Sequence, residues 1–350
     1  MKNQSYYNEQ KIINTNKLRN ILRDFPDFAL DFFTGIENRT SALTRLNYAY
    51  DLRLFFTWAI LETNLFRGKT MIDLEVKDLE KFRTTHFERY MSYLTSYIDE
   101  NGETKTNGDR GKARKLASVR SFFKYYFRRE MISVDLASKI EMPKLYEKPI
   151  IRLEDNEVIK FLDMVNSGDG LDGHQKGFHK HTRARDVAIM TLLLGTGLRV
   201  SECVGLNIND IDFKINALNV TRKGGNQVIL YFSDEVKIAL FDYMEERSLN
   251  PKLKDEPALF VSLQNKRIST RAVEKLVKKY AGIVTPLKHI TPHKLRSTYG
   301  TKLYHATQDI YVVADVLGHK DVNTTKKHYA AISDDIRRNA SKAVSLYDDN

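Results

Sequence analysis

Hydrophobic residues in the first part of the chain recur at spacings of three and four, which is the period of a helix with one buried face. Segment 41–61 shows this spacing through Leu43, Leu46, Tyr50, Leu54 and Trp58. Segment 76–98 shows it through Leu79, Phe82, Phe87, Tyr90 and Leu94. A third segment, 105–129, threads aromatic residues among basic ones. The pattern predicts a small all-helical domain over residues 1–142, with one short helix over 24–36.

The second part of the chain mixes helical and strand patterns. Helical spacing covers 154–165 and 185–195, and the second of these runs ends at a Gly-Thr-Gly break. Two alternating runs, 217–221 and 227–232, flank a Gly-Gly turn and predict a β-hairpin. Segment 143–152 contains two prolines and predicts a linker. The expected fold is mainly α with a small β-hairpin (α+β) in a second domain, 153–350.

Composition narrows the class of protein. A length of 350 residues accommodates two domains, and the single cysteine, Cys203, excludes an intrachain disulfide framework and a multi-cysteine zinc site. The polar insertion 166–182 carries three histidines without partner cysteines, which favours a solvated loop over a metal site. The sequence shows no signal peptide and no apolar run of membrane-spanning length, which predicts a cytoplasmic, nucleoid-associated protein.

The positive charge is unevenly distributed. The net charge of +11 alone favours a nucleic-acid partner only weakly. Segment 105–129, however, contains nine basic residues and one acid, so it predicts an amphipathic helix with a cationic outer face. That face is either a solvated surface or a surface that contacts DNA phosphates. The candidate DNA-binding residues are Lys112, Arg114, Lys115, Arg120 and Lys124.

Several short segments of the second domain place polar residues where a core would not need them. Arg199 and Glu202 share a helical face after the glycine break. They form either a local ion pair or a site in which Glu202 holds the Arg199 guanidinium in a fixed orientation. His293 and Arg296 share the face of a helix that begins at Pro292. His319 follows Gly318, and His328-Tyr329 lies on a further short helical run. Each of these segments alone is compatible with a purely structural role.

Together these residue types suit the cleavage of a phosphodiester through a covalent intermediate. Paired arginines match the extra charge on the non-bridging oxygens of the transition state, and histidines donate hydrogen bonds or move protons. A tyrosine can form a recoverable phosphate ester, and Lys223 at the hairpin tip can protonate the leaving 5′-oxygen.

In their order and spacing, these segments resemble the tyrosine recombinase and integrase family. Segment 196–202 resembles its first arginine box, 291–296 its His-x-x-Arg box and 317–319 the box of its second histidine. The resemblance implies that Arg199, His293, Arg296 and His319 bind the scissile phosphate or exchange protons with it. It also implies that Lys223 is the general acid, that Glu202 supports the site and that Tyr329 forms a 3′-phosphotyrosine.

The resemblance carries further expectations. It implies a helical core-binding domain and a catalytic domain that close as a C-shaped clamp on DNA, with no cofactor, metal or ATP. The expected partners are a double-stranded site with inverted half-sites and a homotetramer spanning two such sites. A helical tail over 334–346 would dock either on its own domain or on a neighbouring protomer.

The short segment before the first domain favours the simple, Xer-like recombinases over integrases with an arm-binding domain. Chromosome or plasmid dimer resolution is then the leading role, followed by mobile-element integration or excision. The competing hypotheses are a type IB topoisomerase and a catalytically idle DNA-binding protein of the same fold. The sequence specifies neither the DNA target nor a regulatory partner.

Overall fold

The computed structural model describes residues 6–146, 150–222, 224–253, 256–319 and 321–322. The chain divides into two compact units, Met1–Lys148 and Pro149–Asn350. Most of the described residues in both are helical, and the strands are short and antiparallel. No helix among them is long and apolar enough to cross a lipid bilayer.

The first unit is a helical bundle with one small hairpin. Its helices are α1 (Tyr6–Leu22), α2 (Asp27–Gly35), α3 (Ala42–Leu61), α4 (Thr84–Tyr93) and α5 (Asp109–Phe127). Strands β1 (Ser96–Ile98) and β2 (Thr104–Thr106) pair antiparallel, and 3₁₀ turns cover Glu37–Arg39, Val76–Lys81 and Ala137–Lys139. The sequence pattern did not predict α1 or the β1–β2 hairpin. It predicted one helix over 76–98, where the structure has the 3₁₀ turn Val76–Lys81, α4 and β1.

Aromatic rings form the core of the first unit. Phe55 on α3 contacts Phe87 and Phe123 with ring centroids 5.8 and 6.2 Å apart, and all three side chains are buried. Tyr125 and Tyr126 of α5 donate their hydroxyl hydrogens to the backbone carbonyls of Asp31 and Phe28. Burying a ring while satisfying its hydroxyl fixes the angle at which two helices pack. Helices α2 and α5 are thereby held together at both apolar and polar points.

The second unit surrounds one buried helix. Its helices are α6 (Asp155–Ser167), α7 (Gly173–His179), α8 (Arg183–Thr196), α9 (Val200–Gly205), α10 (Asp234–Ser248), α11 (Thr270–Val284), α12 (Pro292–Thr307) and α13 (Ile310–Leu317). A 3₁₀ turn covers Ile208–Asp210 and another covers Pro251–Leu253. Helices α6, α10 and α12 pack against α8, which explains the nearly continuous apolar run of α8.

A three-stranded antiparallel sheet lies beside these helices, in the order β3 (Ile211–Asp212), β4 (Ala217–Thr221) and β5 (Gln227–Tyr231). Val220 pairs with Val228, and Thr221 with Gln227 at the end of the hairpin. The predicted hairpin is therefore present, with its turn between residues 221 and 227.

The polar insertion 166–182 is more ordered than the sequence suggested. It contains the helix α7, which ends at a buried His179. The ring Nε2 of His179 lies 2.8 Å from the carbonyl oxygen of Val165. This histidine is a satisfied structural residue, whereas His174 and His181 are exposed, as expected for a solvated insertion.

Candidate active site

Three arginines converge on the C-terminal end of α13. Arg222 donates from Nη1 to the carbonyl of Asp315 (3.1 Å) and from Nη2 to that of Val316 (2.6 Å). Arg296 donates to the carbonyl of Leu317, and Arg199 to that of Gly318 at 3.3 Å. The last carbonyls of a helix lack intrahelical partners and carry the negative end of the helix dipole. This helix end therefore gathers three guanidinium groups in one place.

Arg199 is the N-cap of α9 and is fixed by Glu202. One carboxylate oxygen of Glu202 accepts from the Arg199 backbone N–H at 2.8 Å, and the other accepts from its Nη1 at 2.8 Å. The Glu202 side chain is only 5% exposed, whereas that of Arg199 is 35% exposed. A buried carboxylate thus orients a guanidinium that still reaches solvent.

Arg296 is buried on α12 and links two backbone segments. Its Nη1 donates to the carbonyl of Gly197 at 2.6 Å, next to the break after α8. A Cβ at Gly197 would collide with the ring of Tyr299, which is also on α12. The close approach of α12 to position 197 therefore requires glycine. His293 lies one turn earlier on the same helix and is exposed.

The predicted second histidine follows directly after α13. Gly318 adopts a left-handed conformation with φ of 62°, and the His319 backbone N–H donates to the carbonyl of Ala314 at 2.9 Å. The structure therefore brings the backbone of the His319 segment to the arginines, as Arg199 and Arg296 contact the residues just before it.

Electrostatics favour an anionic ligand at this cluster. Burial lowers the pKa of Arg222, and the nearby positive charge of Arg199 lowers it further, while Glu202 and Asp315 oppose the shift. Guanidinium groups stay protonated despite such shifts, because their pKa begins above 12.

Burial and Glu202 raise the pKa of the Cys203 thiol to about 12, so this residue is no nucleophile.

Two predicted site residues, Lys223 and Tyr329, lie outside the described residues, as does the predicted tail helix 334–346. Sequence reasoning missed one member of the cluster, Arg222. Its only signal was a basic residue beside the predicted hairpin lysine, because its partners are backbone carbonyls more than 90 positions away. Among the residues that can be described, no group of three His, Cys, Asp or Glu side chains is placed to hold a metal ion.

The candidate DNA-binding residues of α5 differ in how they are held. Arg114 forms a two-pronged ion pair with the buried Asp51, with Nη2 2.8 Å from Oδ1, and Ser118 donates to the same carboxylate at 2.7 Å. The other polar contacts are Lys112 to Thr95 Oγ1 (2.7 Å), Lys115 to Asn107 Oδ1 (3.0 Å) and Arg120 to the Ser138 carbonyl (2.8 Å).

Lys124 is exposed and lines a cavity of about 210 Å³ on the first unit. Its lining includes three more cations and two aliphatic hydroxyls, namely Arg39, Arg128, Arg129, Thr40 and Ser121. Arg129 stacks over the Tyr125 ring, with its Cζ 3.7 Å from the ring centroid. This end of α5 is an anion-attracting surface with hydrogen-bond donors.

Comparison with known proteins identifies the family of this chain. The phage integrase family model matches residues 152–335, more than half of the chain. The chain therefore belongs to the phage integrase family, and the named relatives are tyrosine recombinases. This confirms the predicted family and enzyme class.

Two relatives and two solved structures illustrate the similarity. A tyrosine recombinase XerC of Caldanaerobacter subterraneus subsp. tengcongensis is 35% identical, over 87% of this chain and 81% of that protein. A tyrosine recombinase XerS of Streptococcus agalactiae is 29% identical, over 93% and 97%. The Tn1549 transposon integrase bound to circular-intermediate DNA has a TM-score of 0.63 and covers 89% of this chain and 97% of that one, at 18% identity. XerH site-specific recombinase bound to a palindromic difH substrate has a TM-score of 0.62 and covers 86% of this chain and 80% of that one, also at 18% identity.

Because both structures are only 18% identical to this chain, they establish the fold alone. The chain is mainly helical with small antiparallel sheets, as the sequence predicted. The family assignment favours site-specific recombination over the topoisomerase and over the idle DNA-binding protein.

Proposed function

We propose that this protein cuts and rejoins DNA at specific sites through a 3′-phosphotyrosine and a Holliday junction. The observation that carries the proposal is the convergence of Arg199 and Arg296 on the segment that leads into His319. Preorganised guanidinium groups of this kind stabilise charge that develops on a phosphoryl oxygen, and they need no rearrangement when the reaction occurs.

The proposed cleavage step uses only side chains of the protein and groups of the DNA. The Tyr329 hydroxyl oxygen forms a bond to phosphorus as its proton passes to a site histidine. The bond between phosphorus and the 5′-oxygen breaks, and Lys223 donates a proton to that oxygen. Arg199 and Arg296 neutralise the non-bridging oxygens, and Glu202 keeps Arg199 in place. Rejoining reverses these transfers with the 5′-hydroxyl of another strand.

The first unit supplies the proposed core-binding function. Lys124 and the neighbouring cations of the 210 Å³ cavity face solvent, as phosphate-contacting residues must. Lys112, Arg114, Lys115 and Arg120 complete the proposed DNA-binding set. The domains proposed for these roles are 1–142 and 153–350, joined by the linker 143–152.

Dimer resolution of a chromosome or plasmid is the proposed biological role, since the named relatives are XerC and XerS recombinases. Integration or excision of a mobile element is the second candidate, favoured by the similarity to a transposon integrase. In either role the protein would act at the nucleoid as a homotetramer on two DNA sites. A λ integrase tetramer bound to a Holliday junction, with a TM-score of 0.60, supports the assembly.

The test uses a nicked suicide substrate built on the site that the protein selects from random-sequence DNA. The wild-type protein should form a covalent adduct in EDTA without ATP, and Tyr329→Phe should bind the same DNA but form none. A wild type that forms no adduct, or an undiminished adduct with Tyr329→Phe, contradicts the proposal. Relaxation of plasmids that lack the selected site would favour the topoisomerase instead.

A further inference from the structure

We infer that Arg222 is a positioning residue that anchors the turn carrying Lys223 to the C-terminal end of α13. The inference rests on the proposed function, in which Lys223 protonates the leaving oxygen. In this role the Arg222 side chain acts through its neighbours and need not touch the DNA.

The first observation is that the backbone of Arg222 closes the hairpin turn. Its N–H donates to the carbonyl of Asn226 at 2.8 Å, and its carbonyl accepts from the N–H of Gly225 at 2.9 Å. Gly224 and Gly225 are both exposed, with positive φ, and face open space. The two ends of the turn therefore meet at Arg222, and the described glycines of the turn lack packing that would hold them.

The second observation is that the side chain of Arg222 leaves the hairpin. Its two terminal nitrogens donate to consecutive carbonyls, those of Asp315 and Val316, at 3.1 and 2.6 Å. A planar guanidinium makes two such bonds in a fixed geometry, which an ammonium cannot reproduce. One residue thus fastens the turn to the helix that also holds Arg199 and Arg296.

The third observation is steric. A Cβ on Gly318 would collide with the Arg222 guanidinium, so the end of α13 lies close against this side chain. The left-handed conformation of Gly318 also starts the His319 segment. Position 318 therefore requires glycine for two separable reasons, its contact with Arg222 and its own backbone conformation.

These contacts assign a chemical task to Arg222. A general acid must come within hydrogen-bond reach of the leaving oxygen, and a displacement of about 1 Å can cost as much as about 10²-fold in rate. The helix end that aligns the phosphate-binding arginines also aligns the turn that carries the acid. Loss of Arg222 should therefore impair protonation of the 5′-oxygen more than charge stabilisation.

The experiment measures single-turnover cleavage of two substrates, one with the normal 5′-oxygen and one with sulfur in its place. A thiolate leaves without a proton, so the sulfur substrate does not need a general acid. We expect Arg222→Ala to slow cleavage of the oxygen substrate at least about tenfold, and the sulfur substrate far less. Arg222→Lys should behave like Arg222→Ala. Arg199→Ala should be slow on both substrates.

Arg271→Ala is the matched control, because it also removes one arginine charge from the second unit, at a side chain that is 78% exposed. It should cleave both substrates at the wild-type rate. Unfolding temperature and DNA affinity are measured for every variant, so that a folding defect is recognised. A wild-type rate for Arg222→Ala, or an equal deficit on both substrates, overturns the inference. The proposed function fails separately, through a wild type without a covalent adduct.

The steric contact provides a second test that does not depend on the folding of Arg222→Ala alone. Gly318→Ala should slow cleavage in the wild type, through both collision and backbone strain. In the Arg222→Ala background only the strain remains, so the added loss should be smaller. Equal losses in both backgrounds would show that Gly318 and Arg222 are not coupled.

Discussion

The cations of α5 and those around the end of α13 are held in different ways. Arg114 on α5 is paired with a buried carboxylate, Asp51. At the end of α13, backbone carbonyls accept from Arg222 and Arg296, and Arg199 pairs with Glu202. The first arrangement sets an arginine against a buried carboxylate, whereas the second orients its guanidinium groups through backbone carbonyls.

The difference shows why a count of basic residues does not locate a site. Segment 105–129 is the more basic by sequence, yet one of its arginines is engaged in stabilising the fold of the first unit. The cluster in the second unit has fewer cations, but the carbonyls at the end of α13 orient them toward one place. The two regions should respond differently to substitution, and three experiments test this.

The largest effect is expected at Arg296. Arg296→Lys retains the charge but cannot reach both the Gly197 and Leu317 carbonyls while facing a phosphate. Cleavage in single-turnover assays should fall by roughly 10²- to 10³-fold, the loss typical of removing one preorganised donor. DNA affinity should change little. Near-normal cleavage by Arg296→Lys would show that charge alone suffices at the end of α13.

A stability effect is expected at Arg114. Arg114→Ala leaves Asp51, whose side chain is 3% exposed, without its cation. Because the Arg114 side chain is itself 52% exposed, solvent screens the pair, and the loss in the free energy of unfolding should be about 1 kcal/mol, measurable by urea denaturation. The double variant Asp51→Asn with Arg114→Ala should recover part of this loss, because no charge is then buried. If Arg114→Ala leaves the free energy of unfolding unchanged, the contrast between the two regions does not hold, whatever its effect on DNA binding.

The smallest effect is expected at Lys124, which is exposed and lines the cationic cavity. Lys124→Ala should leave stability nearly unchanged and reduce the slope of log affinity against log salt concentration by about 1, as loss of one phosphate contact does. Lys17→Ala removes an exposed cation from α1 and should leave the slope unchanged. Equal slopes for Lys124→Ala and the wild type would remove Lys124 from the DNA-binding surface.

The sequence predicted those elements whose burial repeats along one face. Helices α3 and α5 bury many positions at helical spacing, and α8 is apolar almost throughout, so all three were visible. Leu43 and Tyr50, which the spacing placed on the buried face of α3, are exposed instead. Helix α1 buries only Leu18 and Ile21 and shows no such period. Strands β1 and β2 have three residues each, too few to display alternation, and their turn is held by Asp99 through hydrogen bonds to Asn101 and Glu103.

The candidate site was predictable to the extent that its residues lie in short boxes. Arg199 with Glu202, and His293 with Arg296, are close in sequence, so one helical turn relates each pair. The partners of Arg222 and Arg114 are distant in sequence, at Asp315 and Val316 for the first and at Asp51 for the second. Such contacts depend on the tertiary fold and leave no local pattern.

The buried thiol of Cys203 has a practical consequence for fluorescent labelling of this protein. It is the only cysteine of the chain, its side chain has no solvent exposure, and its pKa of about 12 keeps it protonated at neutral pH. Maleimide dyes react with exposed thiolates, so the native chain should remain unlabelled. A cysteine introduced at the exposed Arg271 would then carry a single fluorophore, which suits single-molecule measurements on DNA.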